Sequence, residues 1–219
     1  MGIFGWFINQ IRGVLLFSII ESAGWPIWPL LICSVVATAL IIERFYQLRT
    51  KLIAPPDLLG EVLDKIDAGL PSSIDTDQLE SNSPLGAILS ATLKTFSAQP
   101  KAQETVLKQE IELEGRIIAY KLERYLNAIG TIASAAPLLG LFGTVIGMID
   151  IFGSQSGSTS NPAQLAHGIS TALYNTAFGL IIAIPSLIFW RYFRTRIDFF
   201  VLTLESSSDK LLKHLLKMR

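Results

Sequence analysis

Charged residues are scarce in this chain: they make up 16% of its 219 residues, against about 25% in an ordinary soluble domain. Hydrophobic residues make up half of the chain. The charges are missing from three long stretches rather than thinned evenly along the sequence. This unevenness argues against a water-soluble domain and is typical of an integral membrane protein.

Cysteine is almost absent as well. The single cysteine, Cys33, lies in an apolar run, which excludes an internal disulfide and a cysteine-rich metal site. The formal net charge is zero, so nothing indicates a nucleic-acid surface. The first 20 residues lack a basic start, and Arg12 interrupts their apolar character, so we expect no removable signal peptide. We expect no metal, no cofactor and no nucleic-acid partner.

Three charge-free stretches are long enough to cross a bilayer, which takes roughly 20 helical residues. They predict an all-α membrane protein with three transmembrane helices, the second and third of which extend into a cytoplasmic helical bundle. The expected parts are an interfacial amphipathic helix at 1–21, transmembrane helices at 22–43, 125–152 and 163–190, a cytoplasmic helical domain at 44–124, a periplasmic loop at 153–162 and a cytoplasmic C-terminal helix at 191–219.

Lysine and arginine near the ends of the spans predict the orientation. The basic residues flank the same side of all three spans, and the loop at 153–162 carries no charge. The N-terminus is therefore expected outside and the C-terminus in the cytoplasm. The segment at 1–21 mixes Arg12 and other polar residues with bulky apolar ones, which favours a helix lying in the interface. A fourth span is the alternative, and Arg12 at its middle disfavours it.

The segment between the first two spans is predicted to be helical with interruptions. Residues 54–57, Ala-Pro-Pro-Asp, are expected to break the helix that continues from the first span, and Asp57 is expected to cap the next helix. A turn-rich piece follows at 71–84, and helix resumes from Leu85. From Gln103 a charged helical pattern runs without a breaker into the second span.

Small residues form a stripe along each of the last two spans at helical spacing. The stripes comprise Ala133, Pro137, Gly140, Thr144, Gly147 and Ile151 in one span and Ile169, Ala172, Thr176, Gly179 and Ala183 in the next. Such faces let membrane helices approach closely, and Gly143-x-x-x-Gly147 fits the same logic. Two interpretations of Thr144 and Thr176 stay open: each hydroxyl bonds to its own helix, or the two line a polar path.

A proton path needs a titratable group, and the middle of the spans offers none. Asp150 lies one turn from the outer end of the second span, and His167 lies near the outer start of the third. We expect Asp150 to be an interfacial or loop-bonded carboxylate and His167 to make a contact at the helix start or in the loop. If protons cross here, we expect another chain to supply the central acid. No set of His, Asp and Glu converges at either interface, so no enzyme is expected.

Two motifs resemble the signature spans of the MotA/TolQ/ExbB proton-channel family, and within it the ExbB and TolQ branch. They are APLLGLFGTVIGMIDIF at 136–152 and ALYNTAFGLIIAIPSLIFW at 172–190. The resemblance implies a homopentamer, surrounded by membrane lipids, whose second and third helices enclose the membrane helices of two copies of a small ExbD-like or TolR-like partner. The partner's aspartate carries the proton and the residues matching the pore threonines are Thr144 and Thr176. The helices pack through Pro137, Gly140, Gly143, Gly147 and Gly179.

The same resemblance implies a motor of the bacterial inner membrane that energises a periplasm-spanning protein of the TonB or TolA type. Support of TonB-dependent outer-membrane transport is the favoured function. Alternatives are a TolQ-like role in envelope maintenance and a non-conducting scaffold; the MotA branch usually has four spans and a larger cytoplasmic domain. Asp150 departs from the family pattern, which has an uncharged or weakly basic residue there, and this change would alter the outer mouth of the pore.

Overall fold

The structure, a computed structural model, describes residues 24–69, 73–100, 103–154 and 162–218. Every regular element in these ranges is a helix and none is a strand, which confirms the all-α prediction. We number the helices α1 to α8 in chain order. Their bounds are α1 Ile27–Gln47, α2 Thr50–Ile53, α3 Leu58–Asp67, α4 Ser73–Asn82, α5 Pro84–Ala98, α6 Glu104–Glu123, α7 Leu126–Ser154 and α8 Pro162–Lys217.

Three helices in the described part of the chain are long and apolar enough to cross a membrane, as predicted. The qualifying segments are Ile27–Gln47, Leu126–Gly153 and Gly168–Lys217. The α7 helix continues through Pro137, and α8 continues through Pro185 and past Trp190, where the third apolar run ends. The predicted interfacial helix at 1–21 lies outside the described residues, and so do residues 155–161 of the predicted loop.

The chain divides into two compact units. The first, which we call the span unit, falls within Met1–Ile41 and Ala128–Phe189. The second, which we call the charged unit, comprises Ile42–Asn127 and Trp190–Arg219. The apolar runs therefore concentrate in one unit and the charged helices in the other.

The charged unit has a core of apolar, mostly aliphatic side chains, contributed mainly by α3, α5, α6 and the C-terminal part of α8. Leu89 and Leu107 are completely buried in it. Burying one such side chain contributes about 1.5–3 kcal/mol. The other buried members of this core are Ala54, Val62, Ile66, Leu85, Ile88, Leu93, Phe96, Ile118, Leu204, Leu211, Leu212 and Leu215.

The prediction of a turn-rich piece at 71–84 is wrong, because most of this segment forms α4. Two contacts with α5 stabilise this helix: the Ser90 hydroxyl donates to the Thr76 carbonyl oxygen at 2.8 Å, and Lys94 lies 2.7 Å from both Asp77 and Glu80. Hydrogen bonds to these two carboxylates raise the pKa of Lys94. Because the stabilisation comes from a neighbouring helix, the local composition of α4 did not indicate it.

The expected helix break at 54–57 occurs earlier. The α1 helix ends at Gln47, and Arg49 has the extended backbone angles φ −84° and ψ 134°. The prolines instead end the short α2. Asp57 precedes α3 as predicted, but its side chain makes no capping hydrogen bond, so that part of the prediction is wrong. Its angles, φ −91° and ψ −13°, are already helical, whereas a capping side chain needs an extended backbone.

The prediction of an uninterrupted helix from Gln103 into the second span is also wrong. The α6 helix ends at Glu123 and α7 begins two residues after Arg124. The buried Arg44 lies at this break: its Nη1 donates to the Leu122 carbonyl oxygen at 2.9 Å, and its guanidinium carbon lies 4.8 Å from the centre of the Tyr125 ring. The side chain of Arg44, which is far from α6 in sequence, thus donates a hydrogen bond to a carbonyl near the end of α6, where helix carbonyls lack partners.

Candidate functional site

The second and third spans touch at backbone distance in the span unit. A methyl group placed on Gly140 of α7 would lie 2.7 Å from the carbonyl oxygen of Asn175 and 3.0 Å from the Cα of Thr176. On the opposing helix, a methyl group on Gly179 would lie 2.6 Å from the carbonyl oxygen of Ala136. Because backbone atoms block both positions, neither glycine can gain a side chain unless the helices move apart.

The same contact continues towards the C-terminal end of α7. A methyl group on Gly143 would lie 2.7 Å from the Cβ of Asn175, and one on Gly147 would lie 3.0 Å from the Cβ of Ala172. Ascending positions in α7 thus meet descending positions in α8, so the two helices are antiparallel. Glycines every three to four residues create the flat face that allows this approach.

The two threonines lie within one helical turn of each other along this helix pair. The Thr176 Cα borders Gly140, and Thr144 follows Gly140 by one turn of α7. Both side chains are half-buried. The Thr144 hydroxyl donates to the Leu141 carbonyl oxygen at 2.7 Å. Thr144 therefore makes the own-helix bond that was one of the two open interpretations, although with the carbonyl three residues back; a pore-lining role remains a prediction.

This bond determines what the Thr144 hydroxyl can still do. A hydroxyl has one proton to donate and two lone pairs that accept. Since the proton is used by Leu141, the oxygen can act towards a further group only as a hydrogen-bond acceptor. Its lone pairs are what it offers to a hydrogen-bond donor on another group.

The other predicted site residues lie apart from the threonines. Pro137 is half-buried within α7. Asp150 is exposed, about 9 Å further along α7 than Thr144 at the rise of an α-helix, and it forms no ion pair with residues that the structure describes. The side chain of His167 is outside the description. The described chain thus brings no carboxylate to the threonines.

Asn175 is the residue that sequence reasoning missed. Its side chain is 1% exposed and lies against Gly143, and its carbonyl faces Gly140. It is the one amide between residues 165 and 190, and that was the available signal, because a polar group in an apolar span must find a partner. The regular stripe of small residues drew attention to its neighbour Thr176 instead.

The first span packs onto this pair. Leu30 of α1 is buried together with Ala136 of α7 and Ala183 of α8. The rings of Trp25 and Phe142 meet edge to face, with their centroids 6.2 Å apart. Across the described ranges, no group of three or more His, Cys, Asp or Glu side chains could hold a metal ion. These contacts pack the three apolar helices against one another.

These features define a class: a helical membrane protein of three spans, two of them joined through a glycine face with hydroxyls at mid-span. The chain belongs to the MotA/TolQ/ExbB proton channel family, because the model of that family matches residues 80–206, more than half of its length. The match includes both signature spans and the helices α5 and α6 of the charged unit.

Three relatives illustrate the relationship. The putative biopolymer transport protein ExbB-like 3 of Synechocystis is 34% identical over 76% of this chain and 79% of its own length. The biopolymer transport protein ExbB of Salmonella typhimurium is 36% identical over 59% and 60%. The Tol-Pal system protein TolQ of Haemophilus influenzae is 30% identical over 75% and 76%.

Membership settles the broad function. The chain is a multi-pass membrane protein and a proton channel subunit of the ExbB/TolQ family, and the family contains no enzymes. The family also implies partners of the ExbD/TolR and TonB/TolA kinds.

Proposed function

We propose that this chain is the ring-forming subunit of an inner-membrane proton motor that energises TonB-dependent outer-membrane transport. Five copies would form the ring, and two copies of an ExbD-like partner would occupy its centre. The N-terminus and the loop at 153–162 would face the periplasm, and the segment at 44–124 and the C-terminus the cytoplasm. The positions of the basic residues beside the spans support this orientation.

The Thr144 hydroxyl carries the proposal. Because its proton is held by the Leu141 carbonyl at 2.7 Å, its oxygen is left to accept a hydrogen bond. A carboxylic acid in its protonated form has one proton to donate, whereas a carboxylate has none. Thr144 therefore stabilises the protonated form of an acid that a partner chain brings to mid-membrane, and Thr176 lies within one helical turn of it along the helix pair.

Asp150 has a separate proposed role at the outer mouth of the pore. It is exposed near the C-terminal end of α7, beyond the close contact made by Gly147. A carboxylate there attracts cations, including hydronium, towards the entrance. It does not take part in the transfer at the level of the threonines.

Thr144→Val and Thr176→Val test the pore assignment. Valine keeps the shape and removes the hydroxyl, so we expect energised uptake through a TonB-dependent receptor to be lost while the ring still assembles. The host should lack its own ExbB and TolQ and receive this chain with its partners. Thr38→Val is the matched control, since the exposed Thr38 of α1 also bonds its own helix, at 2.8 Å to the Ser34 carbonyl oxygen. Normal uptake in either pore variant would refute the assignment.

A TolQ-like role is the second candidate, favoured by the 30% identity with the Haemophilus TolQ over most of both chains. The same host separates the two candidates. Restored receptor-dependent uptake supports the first function, and restored resistance of the envelope to detergent with the TolR and TolA partners supports the second. A ring that forms with partners and restores neither would support the scaffold interpretation.

A further inference from the structure

A cavity in the charged unit lies where two apolar runs end. The charge-free run of α1 ends at residue 42 and that of α8 at Trp190. A few residues beyond both points, the end of α1, the residues that follow it and α8 line a half-open cavity of about 240 Å³. It is lined by Phe45, Leu48, Arg49, Thr50, Tyr192, Phe193 and Arg196. Segments that leave an apolar run together are at the membrane surface, where headgroups lie.

One wall of the cavity is an ordered group of three aromatic rings. The Phe45 ring meets the Phe193 ring edge to face with centroids 5.0 Å apart, and Phe45 and Tyr192 are 5.8 Å apart. Phe193 is 1% exposed, and Leu48 beside it is also buried. The wall is therefore built by packing and does not depend on a bound molecule to form.

Two arginines form the polar side, and neighbouring rings hold both. The guanidinium carbon of Arg49 lies 4.8 Å from the centre of the Tyr46 ring, and that of Arg196 lies 5.1 Å from the centre of the Phe200 ring. Neither side chain forms an ion pair within the described part of the chain. Each guanidinium keeps its fork of N–H donors, which fits the oxygens of a phosphate.

The carboxylates that could neutralise these arginines are engaged elsewhere. Glu43 lies 3.6 Å from the guanidinium of Arg44, and Asp198 lies 3.6 Å from that of Arg194. The surrounding sequence is basic on both helices: residues 43–51 and 191–198 each contain three basic residues and one acidic one. The cavity therefore has an excess of positive charge.

We infer that this cavity binds the phosphate of an anionic phospholipid headgroup. The phosphate lies between Arg49 and Arg196, and the Thr50 hydroxyl is a further donor at the rim. The aromatic wall contacts the glycerol and ester region. A lipid source is favoured over a soluble phosphate because two of the lining side chains, Phe45 and Tyr192, are 46% and 47% exposed, and exposed Ile42 and Tyr46 are their neighbours on α1. Basic pockets beside membrane helices bind anionic headgroups in this way.

The test measures how tightly phosphatidylglycerol and phosphatidylcholine stay on the purified full-length protein, by native mass spectrometry in mild detergent. We expect phosphatidylglycerol to be retained in preference to phosphatidylcholine. Replacing both arginines, Arg49→Gln with Arg196→Gln, should weaken phosphatidylglycerol binding roughly 30-fold, from about a fivefold loss for each basic contact near a lipid surface.

A control removes the same charge elsewhere in the charged unit. Arg116→Gln with Lys210→Gln alters two exposed basic residues that do not line the cavity, and it should leave lipid retention unchanged. If the control loses the lipid equally, or if the cavity variant keeps it, the site is refuted. Arg49→Lys with Arg196→Lys keeps the charge but loses the planar fork and should give an intermediate affinity, which separates binding from a folding defect.

Inorganic phosphate distinguishes the two sources of the ligand group. We expect millimolar inorganic phosphate to leave the bound phosphatidylglycerol in place, because it cannot use the aromatic wall. Displacement of the lipid by phosphate alone would show that the cavity is an anion site and would overturn the lipid assignment. The measurement involves no proton flux, so it does not depend on the proposed motor function.

Discussion

The two units of this chain pack their helices by opposite means. In the span unit, α7 and α8 meet where side chains are missing, with Gly140 against the backbone of Asn175. In the charged unit, α5 and α6 meet through large side chains such as Leu89 and Leu107, which are completely buried. In water the burial of apolar area holds helices together, whereas in lipid that gain is absent and close van der Waals contact replaces it.

Glycine therefore has opposite meanings in the two units. Gly140 is blocked by backbone atoms at 2.7 Å and 3.0 Å, so it is required by the packing. Gly115, in the middle of α6, has nothing within 4 Å of the position that a side chain would take. In that place glycine only adds conformational freedom, which disfavours a helix. Three substitutions, one of a buried leucine and two of glycines, test this contrast between the packing of the two units.

Leu89→Ala should have the largest effect on stability. It removes a fully buried side chain from the core of the charged unit and should cost about 2–5 kcal/mol. Hydrogen exchange of the full chain in detergent should show faster exchange in α5 and α6. Leu113→Ala is the matched control, since the same atoms are removed from a side chain that is 56% exposed, and a comparable loss there would contradict the core assignment.

Gly140→Ala should have the next largest effect, because its methyl group forces α7 and α8 apart. We expect a cost of about 1–3 kcal/mol, the usual range for an overpacked site. Exchange should increase in α7 and in the part of α8 that faces it, with α5 and α6 unchanged. Gly153→Ala lies in the same helix with open space around it and should be tolerated. Equal behaviour of the two variants would remove the argument for backbone contact.

Gly115→Ala should have the smallest effect on stability, and it should stabilise the protein where the other two substitutions destabilise it. Alanine fits the open space and favours the helix, so the charged unit should gain about 0.5–1 kcal/mol. The measurement is slower exchange of the α6 amides. A loss of stability would mean that this surface is covered in the assembled protein. Gly60→Ala in α3 is the control, because a side chain at Gly60 also enters open space.

Composition and periodicity were sufficient to predict the three spans and the small faces of α7 and α8, because lipid leaves a chain few ways to satisfy its backbone. They were insufficient in the charged unit. The α4 helix depends on Thr76, Asp77 and Glu80 finding partners on α5, and the break before α7 accompanies a hydrogen bond from Arg44 to Leu122. Such contacts join residues far apart in sequence, so no local pattern contains them.

At the site itself, the sequence indicated which residue types matter but not which atoms they use. The stripes of small residues predicted that α7 and α8 approach closely, and helical spacing placed Thr144 and Thr176 at similar depth. The direction of the Thr144 hydroxyl bond could not be predicted, since several carbonyls were within reach. The buried position of Asn175 depends on the rotation of α8 against α7 and emerged only from the packed helices.

The contact between Gly143 and Asn175 has a consequence for how such chains can diverge. Any side chain at position 143 must occupy the volume now held by the Cβ and Cγ of Asn175, 2.7 Å and 2.8 Å away. Position 143 cannot gain a side chain while Asn175 stays the same. Gly143→Ala should be deleterious alone and recovered when Asn175→Gly accompanies it. Over evolutionary time, position 143 should gain a side chain only in lineages where position 175 has first become smaller.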